Sequence, residues 1–435
     1  MSEVDPAKEE AIYQAASVAS EFNLMAADFP DREFEMYRIL RQHMPVCPTG
    51  GMGGGGHFEE DGTGRGWFFS RYEDVVYAFE HPEIFSSETG LPFIPQAVDP
   101  PDHTEYRKIM NPWFTQAVLT PLEPLLKELA NELLDKMVAE GEFDFVKEFS
   151  EPFPTIIFCQ VMGFPLDDVP KMMRWKDLFI HGMRAGKAAQ LGIPVDEAGR
   201  PQPEALRQVL ATTMQEVYAY FTEMIAERRR NPGDDLVTKL IQAKYAGTRP
   251  LTDNELLQTL HLFMLGGLDT VTSALGLIMV FFTEHPEKRR EFIELMDDSS
   301  RVTAAIEELV RYVAIVSPGR RVTRDCTYRG LQLREGDFVI LSTPSANRDE
   351  SVFENPDEVI FDRHPNPHVA FVVGPHRCLG MQLARRELRI ALQEIHRRMP
   401  DYALKPGEQP VVYGGGVKGV EYLPLVVGKG WGRVS

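Results

Sequence analysis

Cysteine is scarce in this sequence, and no two cysteines stand close together. The 435 residues include four of them, Cys47, Cys159, Cys326 and Cys378. Because none belongs to a Cys-x-x-Cys pair, zinc-ribbon and thioredoxin-like sites are excluded. Scattered thiols are typical of proteins in the reducing cytoplasm. Residues 1–10 also lack the basic and apolar stretches of an export signal, so we expect a cytoplasmic protein.

Basic residues are too few to balance the acidic ones. Lysine and arginine number 46 against 65 aspartates and glutamates, which gives a formal net charge of −19. Because nucleic-acid binding requires a basic surface that neutralises phosphates, this balance argues against nucleic acid as a partner. The hydrophobic share of 43% is that of a soluble globular protein, and a chain of this length can bury a sizeable core.

One apolar run, over 262–282, has the length of a membrane-spanning helix. Its middle, however, contains Gly266, Gly267, Asp269 and Thr270. A carboxylate without a partner is costly at the centre of a bilayer. We therefore predict a long helix buried in a soluble protein, with a polar site at its centre and no membrane contact.

Hydrophobic spacing predicts a mainly α protein with a small β lobe, built as a single domain over 1–435. The β-rich lobe is expected roughly over 45–85, 315–345 and 405–430, with a Gly-rich hairpin over 50–66 and a closing hairpin over 411–427. Most of the rest has a periodicity near 3.6. Helices are predicted over 119–138, 169–183, 204–230, 236–246, 254–282, 287–295, 303–313 and 379–399, and strands over 67–70, 321–323, 331–333 and 338–341.

A long irregular run ends in Phe-Val-Val-Gly-Pro-His-Arg-Cys-Leu-Gly over 371–380, immediately before the last helix. A cysteine at this place faces unpaired backbone N–H groups and the positive end of the helix dipole, and both stabilise a thiolate. Gly374 and Gly380 let the backbone approach a flat ligand closely. The alternative, a buried structural cysteine, is the interpretation adopted for the other three cysteines.

This segment resembles the haem-binding loop of the cytochrome P450 family, the haem-thiolate monooxygenases, in their soluble bacterial form. The resemblance implies a haem b cofactor (iron protoporphyrin IX), with Cys378 as the axial ligand of its iron. It also implies that Phe371 packs beside the sulfur and that Gly380 borders the cofactor. The family usually has glycine where this sequence has Val372.

The centre of the apolar helix contains a second motif, Gly-Gly-Leu-Asp-Thr over 266–270. Thr270 stands four residues after Gly266, so its hydroxyl can bond that carbonyl and bend the helix. Close helix packing would also explain the two glycines. The motif resembles the family's oxygen-activation site, which implies that Thr270 holds dioxygen and its water, that Gly266 borders the cofactor, and that Asp269 supplies protons.

Further matches fall on charged residues. Glu308 and Arg311 share a helix face at i, i+3, which by default indicates a surface ion pair. The resemblance instead implies a buried structural network of Glu308, Arg311 and Arg363. It assigns the haem propionates to His103, Arg107, Arg320 and His376; the first two share a helix face at i, i+4, for which a solvated pair is the alternative.

The resemblance also outlines a substrate pocket with an apolar lining. We expect it to be formed by Phe93, Ile94, Leu262, Leu265, Val316 and Val417. An apolar lining predicts a small apolar substrate, and the resemblance to camphor and terpenoid hydroxylases favours a terpenoid.

The resulting hypothesis is a monooxygenase that inserts one atom of O₂ into a C–H bond of this substrate. Two electrons are expected from a separate iron–sulfur ferredoxin and its reductase. The alternatives are a peroxide-driven peroxygenase and a non-catalytic haem-binding sensor. Both would dispense with the acid–alcohol pair of Asp269 and Thr270, whose presence argues against them.

Overall fold

The computed structural model describes residue 24 and the ranges 29–49 and 66–428. The predicted Gly-rich hairpin lies outside them except for Gly66. The described residues form two compact units. The first comprises those of Met1–Leu91, Glu307–Cys378 and Tyr413–Lys418, and the second comprises Pro92–Ile306, Leu379–Val412 and those of Gly419–Ser435. A single domain over the whole chain stays a prediction.

Helices dominate the described residues, as predicted. The α-helices are α1 Phe29–His43, α2 Tyr72–Glu80, α3 Asp102–Met110, α4 Gln116–Leu119, α5 Glu123–Glu140, α6 Pro152–Met162, α7 Val169–His181, α8 Lys187–Gln190, α9 Pro203–Arg230, α10 Leu236–Gln242, α11 Asp253–Leu268, α12 Thr270–Glu284, α13 Pro286–Leu295, α14 Ser299–Val313, α15 Thr343–Ala346 and α16 Met381–Arg398.

The strands are short. They are β1 Val46–Thr49, β2 Gly66–Phe69, β3 Phe85–Ser86, β4 Glu142–Asp144, β5 Lys244–Tyr245, β6 Arg249–Pro250, β7 Gly319–Val322, β8 Cys326–Tyr328, β9 Leu331–Leu333, β10 Phe338–Leu341, β11 Tyr402–Leu404, β12 Val411–Tyr413, β13 Gly419–Tyr422 and β14 Pro424–Val427.

A five-stranded sheet in the order β1-β2-β10-β7-β3 organises the first unit. β2 and β10 are parallel, with Trp67 opposite Val339, and the other pairs are antiparallel. Large apolar side chains such as Phe69 and Phe79 pack against this sheet and are buried. The sheet joins strands from the predicted segments 45–85 and 315–345.

The strands within the third predicted segment, 405–430, do not belong to this sheet. β14 pairs instead with β11 and β4, with Leu425 opposite Phe143, in a separate three-stranded sheet of the second unit. Only β12 and β13 of the expected closing hairpin pair with each other. Alternating hydrophobicity indicates which face of a strand is buried, but it does not determine which strand pairs with it. The sequence therefore could not identify the partners of β14.

The helix predicted over 254–282 is interrupted at Asp269, between α11 and α12. Its start is well specified, because Thr252 and Glu255 form a reciprocal capping box. Gly267 is required by packing, since a Cβ there would lie 2.3 Å from the Phe158 ring. Asp253–Glu284 has the length and hydropathy of a membrane span, but 72% of its apolar window is buried, as predicted for a core helix.

The loop before α16 is held in a specific backbone conformation. The Cys378 N–H donates to the Phe371 carbonyl at 2.9 Å. Gly374 has a φ of +71°, and a Cβ there would lie 2.7 Å from the Phe79 carbonyl oxygen, so only glycine fits. Val372 also lies in the left-handed region, with a φ of +60°. A β-branched residue is strained in this region, which is why the family's glycine suits this position better.

We expect Val372→Gly to raise the free energy of unfolding by about 1 kcal/mol, because relief of the strain exceeds the entropy that glycine adds to the unfolded chain. Urea denaturation of the purified protein measures this change. Val373→Gly is the matched control and should lower the stability, since Val373 is not among the residues with positive φ. Equal losses in both variants would contradict the assignment of strain to Val372.

Candidate active site

The four cysteines differ sharply in exposure. Cys47 and Cys159 are buried, and burial raises the pKa of each thiol to about 12. Cys326 is partly buried, and burial raises its pKa too. Cys378 is exposed. Of the four cysteines, it is therefore the one most accessible to a ligand.

The donor chemistry fits a haem better than a metal ion held by the protein alone. The described residues contain no cluster of three or more histidine, cysteine or acidic side chains that could hold a metal. One exposed thiol suits a metal whose other ligands belong to a prosthetic group. At Gly380, the N-cap of α16, a Cβ would meet nothing within 4 Å, so the backbone there is accessible to a flat ligand.

Two predicted propionate residues lie in the first unit. Arg320 is buried on β7 while its neighbour Arg321 points outward and is exposed, in keeping with strand alternation. The Arg320 guanidinium lies 5.2 Å from the centre of the Phe79 ring. His376 and Phe371 are partly exposed in the cysteine loop. Two predicted pocket residues, Val316 and Val417, are brought together as an antiparallel bridge.

Glu308, Arg311 and Arg363 form one buried ion network. Arg311 Nη2 lies 2.8 Å from Glu308 Oε1, and Arg363 Nε lies 3.0 Å from the same oxygen. Arg311 also donates to the carbonyls of Asn347 and Pro356, each at 2.8 Å. The surface-pair alternative is thus excluded by burial. The network hydrogen-bonds the irregular run that leads to the cysteine loop.

Asp269 lies at the helix interruption of the second unit and is almost fully buried. Its Oδ1 is 3.4 Å from Lys176 Nζ and 3.2 Å from His181 Nε2, whereas its Oδ2 has no hydrogen-bond partner within the described chain. Burial raises the pKa of Asp269, but Lys176 and His181 outweigh it and hold this pKa below the ordinary value. The carboxyl group is therefore ionised.

Lys176 and His181 were not singled out from the sequence. Both lie on α7, and Lys176 also contacts Asp177 at 2.8 Å and Glu151 at 3.5 Å. Burial lowers the pKa of Lys176, but Asp269, Asp177 and Glu151 together raise it above the ordinary value. The helical pattern could have indicated that Lys176 is buried. Lys176 lies one turn after the buried Met172, on the apolar face of α7.

Thr270 makes the predicted bond, donating its hydroxyl to the Gly266 carbonyl at 2.8 Å. Gly266 is exposed, and a Cβ there would meet nothing within 4 Å. Leu262 and Leu265 are partly exposed on α11, a mostly buried helix. This side of α11 therefore borders open space, and Thr270 stands at its end.

The remaining predicted residues of the second unit lie on two segments. On α3, His103 is buried, and Arg107 donates from Nε to Asn111 Oδ1 at 2.9 Å. Phe93 is partly exposed and Ile94 is buried. The Phe93 ring contacts His261, 5.1 Å between ring centres, and His261 was also missed from the sequence.

We expect Lys176→Met to lower the free energy of unfolding by about 3–5 kcal/mol at pH 7, because it leaves Asp269 buried with less compensation. The lowered pKa of Asp269 stabilises the folded state above the unfolded pKa of about 4, and this contribution is lost as pH falls through the folded pKa. Without Lys176 that pKa rises, so the gap between wild type and variant narrows as pH falls.

Urea denaturation at pH 7, 5 and 4 measures this gap, because the change is expected as pH approaches the ordinary carboxyl pKa of about 4. Lys171→Met on the same helix is the control. Lys171 is exposed, its ion pair with Asp168 is at the surface, and its ammonium lies 4.9 Å from the centre of the Tyr220 ring, so its loss should cost about 1 kcal/mol or less. A loss of stability that is the same at all three pH values would refute the role assigned to Lys176.

Comparison with known proteins agrees with this geometry. The family model described as Cytochrome P450 matches residues 87–400. A probable cytochrome P450 127A1 of Sinorhizobium fredii is 33% identical over 375 residues, 84% of each chain. A steroid C26-monooxygenase of Mycolicibacterium smegmatis is 33% identical over 364 residues, 82% of this chain and 86% of that protein.

Solved structures give the same result. CYP109E1 from Bacillus megaterium, in complex with testosterone, superimposes with a TM-score of 0.78 at 28% identity, covering 92% of this chain and 99% of that one. The chain belongs to the cytochrome P450 family, and it is a monooxygenase of the soluble bacterial type.

Proposed function

We propose that the protein hydroxylates an apolar, terpenoid-like or steroid-like substrate with O₂ and two electrons from an iron–sulfur ferredoxin and its reductase. The observation that carries this proposal is the acid–alcohol pair at the helix interruption. Thr270 donates to the Gly266 carbonyl beside an ionised Asp269. A cytoplasmic location, one functional domain, and no contact with nucleic acid or membrane are part of the same proposal.

Haem b is the cofactor proposed for the exposed thiol. The Cys378 thiolate would ligate the iron, and Phe371, Gly266 and Gly380 would border the cofactor. The propionates would be bound by the charged groups that the family resemblance assigns to them, namely His103, Arg107, Arg320 and His376. When bound, haem supplies the activation of dioxygen, which the thiolate promotes by donating electron density.

Thr270 has a defined hydrogen-bonding role. Because its only hydroxyl proton is donated to Gly266 at 2.8 Å, Oγ1 presents lone pairs to the open side of the helix. It can therefore accept a hydrogen bond from a protonated group or a water there. A hydroxyl in this state orients a proton and holds it close to the reacting centre.

Asp269 is suited to move protons rather than to store them. Its pKa is held low by Lys176 and His181, so a proton resides on it only briefly. Its second oxygen has no hydrogen-bond partner in the described chain and can accept from water. For a proton to pass from solvent through this carboxylate towards Thr270, the ion pairs of Asp269 with Lys176 and His181 have to loosen.

The substrate class is supported by the lining and by the relatives. The predicted lining residues Phe93, Leu262, Leu265, Val316 and Val417 are apolar. The related proteins named above include a steroid monooxygenase and an enzyme with bound testosterone. Apolar cyclic molecules of this kind gain affinity mainly from burial of their surface.

The peroxygenase and sensor alternatives make different predictions for turnover. A monooxygenase consumes NADH in a substrate-dependent way when ferredoxin and reductase are added, and forms product in proportion. A peroxygenase forms product from peroxide alone, and a sensor forms none. Counting product under these two conditions tests the proposed function.

Cys378→Ala should lose haem together with the carbon-monoxide difference spectrum of a thiolate-bound iron, because no other exposed thiol can replace the ligand. The pyridine haemochromogen content and that spectrum are the measurements. Cys326→Ala, which removes a partly buried thiol, should retain both. A Cys378→Ala protein with an unchanged spectrum would exclude this cysteine as the ligand.

Thr270→Ala should uncouple electron use from product, with about a tenfold lower yield of product per NADH and more peroxide released. Thr272→Ala is the matched control, because Thr272 makes the same kind of bond to the Leu268 carbonyl at 3.1 Å but is buried. Product and peroxide are measured in the same reaction. Unchanged coupling in Thr270→Ala would remove Thr270 from the mechanism.

A further inference from the structure

His181 contacts the buried carboxylate of Asp269 and begins a line of polar side chains that leads away from it. Its Nε2 lies 3.2 Å from Asp269 Oδ1, and its Nδ1, on the other side of the ring, lies 3.5 Å from Arg184 Nη1. Arg184 in turn donates from Nη2 to Glu421 Oε2 on β13, at 2.9 Å. All four residues belong to the second unit.

Exposure rises along this line from the interior outwards. The exposed fraction of the side chain is 1% for Asp269, 6% for His181, 12% for Arg184 and 22% for Glu421. Consecutive members lie within 3.5 Å of each other. The line therefore connects the buried carboxylate to side chains that solvent reaches.

The two neighbours of the ring favour the same tautomer of a neutral imidazole. The carboxylate of Asp269 can only accept a hydrogen bond, and the guanidinium of Arg184 can only donate one. The ring proton therefore belongs on Nε2, facing Asp269, and Nδ1 is left as an acceptor on the outer side. The ion pair with Glu421 holds Arg184 in place. His181 thus presents a proton to the carboxylate and has a second nitrogen that can take up another.

Lys176 also contacts Asp269, but it is unsuited to exchanging protons with it. Burial lowers the pKa of Lys176, and the surrounding acids raise this pKa by more, so the ammonium keeps its proton at neutral pH. A guanidinium such as that of Arg184 stays protonated as well. Imidazole is the side-chain group that takes up and releases protons near neutral pH. Of the two side chains that pair with Asp269, His181 is therefore the one with the chemistry of a relay.

We propose that His181 is a proton-relay residue that acts through Asp269, taking up solvent protons at Nδ1 and passing them from Nε2 to the carboxylate. This rests on the proposed function, in which Asp269 supplies protons on the Thr270 side. Uptake forms an N–H bond at Nδ1 and makes the ring an imidazolium, the cationic partner of the carboxylate. The Nε2–H bond then breaks and an O–H bond forms at Oδ1, which leaves a neutral imidazole and a neutral carboxyl group.

The same transfer releases Asp269 from α7. It removes the charges of the imidazolium and the carboxylate together, and hydrogen bonds to a neutral group are weaker than those to an ion. The contact with Lys176 at 3.4 Å is therefore weakened without any movement of α7. The carboxyl group can then turn towards Thr270 and give up its proton there, after which the ion pairs form again.

Two substitutions separate the relay from orientation and from charge. His181→Gln keeps an N–H donor for Asp269, and His181→Lys keeps a cation that stays protonated beside carboxylates, as Lys176 does. Product formation from NADH, at saturating ferredoxin, is measured in H₂O and in D₂O with testosterone or another steroid or terpenoid that the wild type hydroxylates. In both variants kcat should fall at least about tenfold. The ratio of kcat in H₂O to kcat in D₂O should exceed that of the wild type, because proton delivery then limits the rate.

His285→Gln is the matched control, since this histidine is exposed and pairs with Glu287 at the surface. It should keep the kcat and the isotope effect of the wild type. A wild-type rate in His181→Gln would show that the ring only orients Asp269, and a wild-type rate in His181→Lys would show that it only balances the charge. Either result overturns the proposal, and so does a loss of rate with an unchanged isotope effect.

The carbon-monoxide difference spectrum separates this role from support of the fold. Both His181 variants should keep the spectrum of the wild type, because the ring exchanges protons only with Asp269 and solvent. Loss of the spectrum in both would assign the ring to the fold and overturn the proposal. Failure of the proposed function is distinct from these outcomes, since the wild type itself would then form no product from NADH.

Discussion

The ion pair between Asp269 and α7 is the constraint on which the second unit depends. A carboxylate that is almost fully buried cannot stay ionised unless cations are buried with it. Lys176 and His181 meet this need from α7, at 3.4 and 3.2 Å. Because the carboxylate sits where α11 gives way to α12, the requirement fixes α7 against the point at which Thr270 turns back to Gly266. The chemistry of the site and the packing of the helices are thus one arrangement.

In the first unit, a related constraint concerns a segment that has little regular secondary structure. The run from Asn347 to the cysteine loop is largely irregular, so its carbonyls need partners outside regular secondary structure. The guanidinium of Arg311 supplies several of them at once, while its charge is balanced by Glu308. Arg363 forms a second ion pair with the same carboxylate, through its Nε. A network without catalytic chemistry thereby determines the path of the segment that presents Cys378.

The sequence allowed the local features to be predicted and left the distant ones open. The exposed thiol and the Thr270 bond to Gly266 follow from neighbours within a few residues. The partners of Asp269 are 88 and 93 residues away on another helix, and the hydrophobic periodicity of a helix does not indicate such a distant contact. A bend near Thr270 was expected from its bond to Gly266, but the break of the helix at Asp269 was not, because the apolar pattern continues through it. The partners of β14 could not be predicted, because the hydrophobic pattern of a strand does not determine which strand pairs with it.

Two buried polar groups on or beside α11 are treated differently, and the difference follows from charge. Asp269 is ionised, and an uncompensated charge in the interior costs far more than a missing hydrogen bond, so the protein itself must supply the cations. His261 is neutral, because burial lowers its pKa to about 4, and the hydrogen bonds that its ring nitrogens lack within the described chain have a cost that a folded protein can tolerate. A group that moves protons for every turnover has to be ready before the substrate arrives.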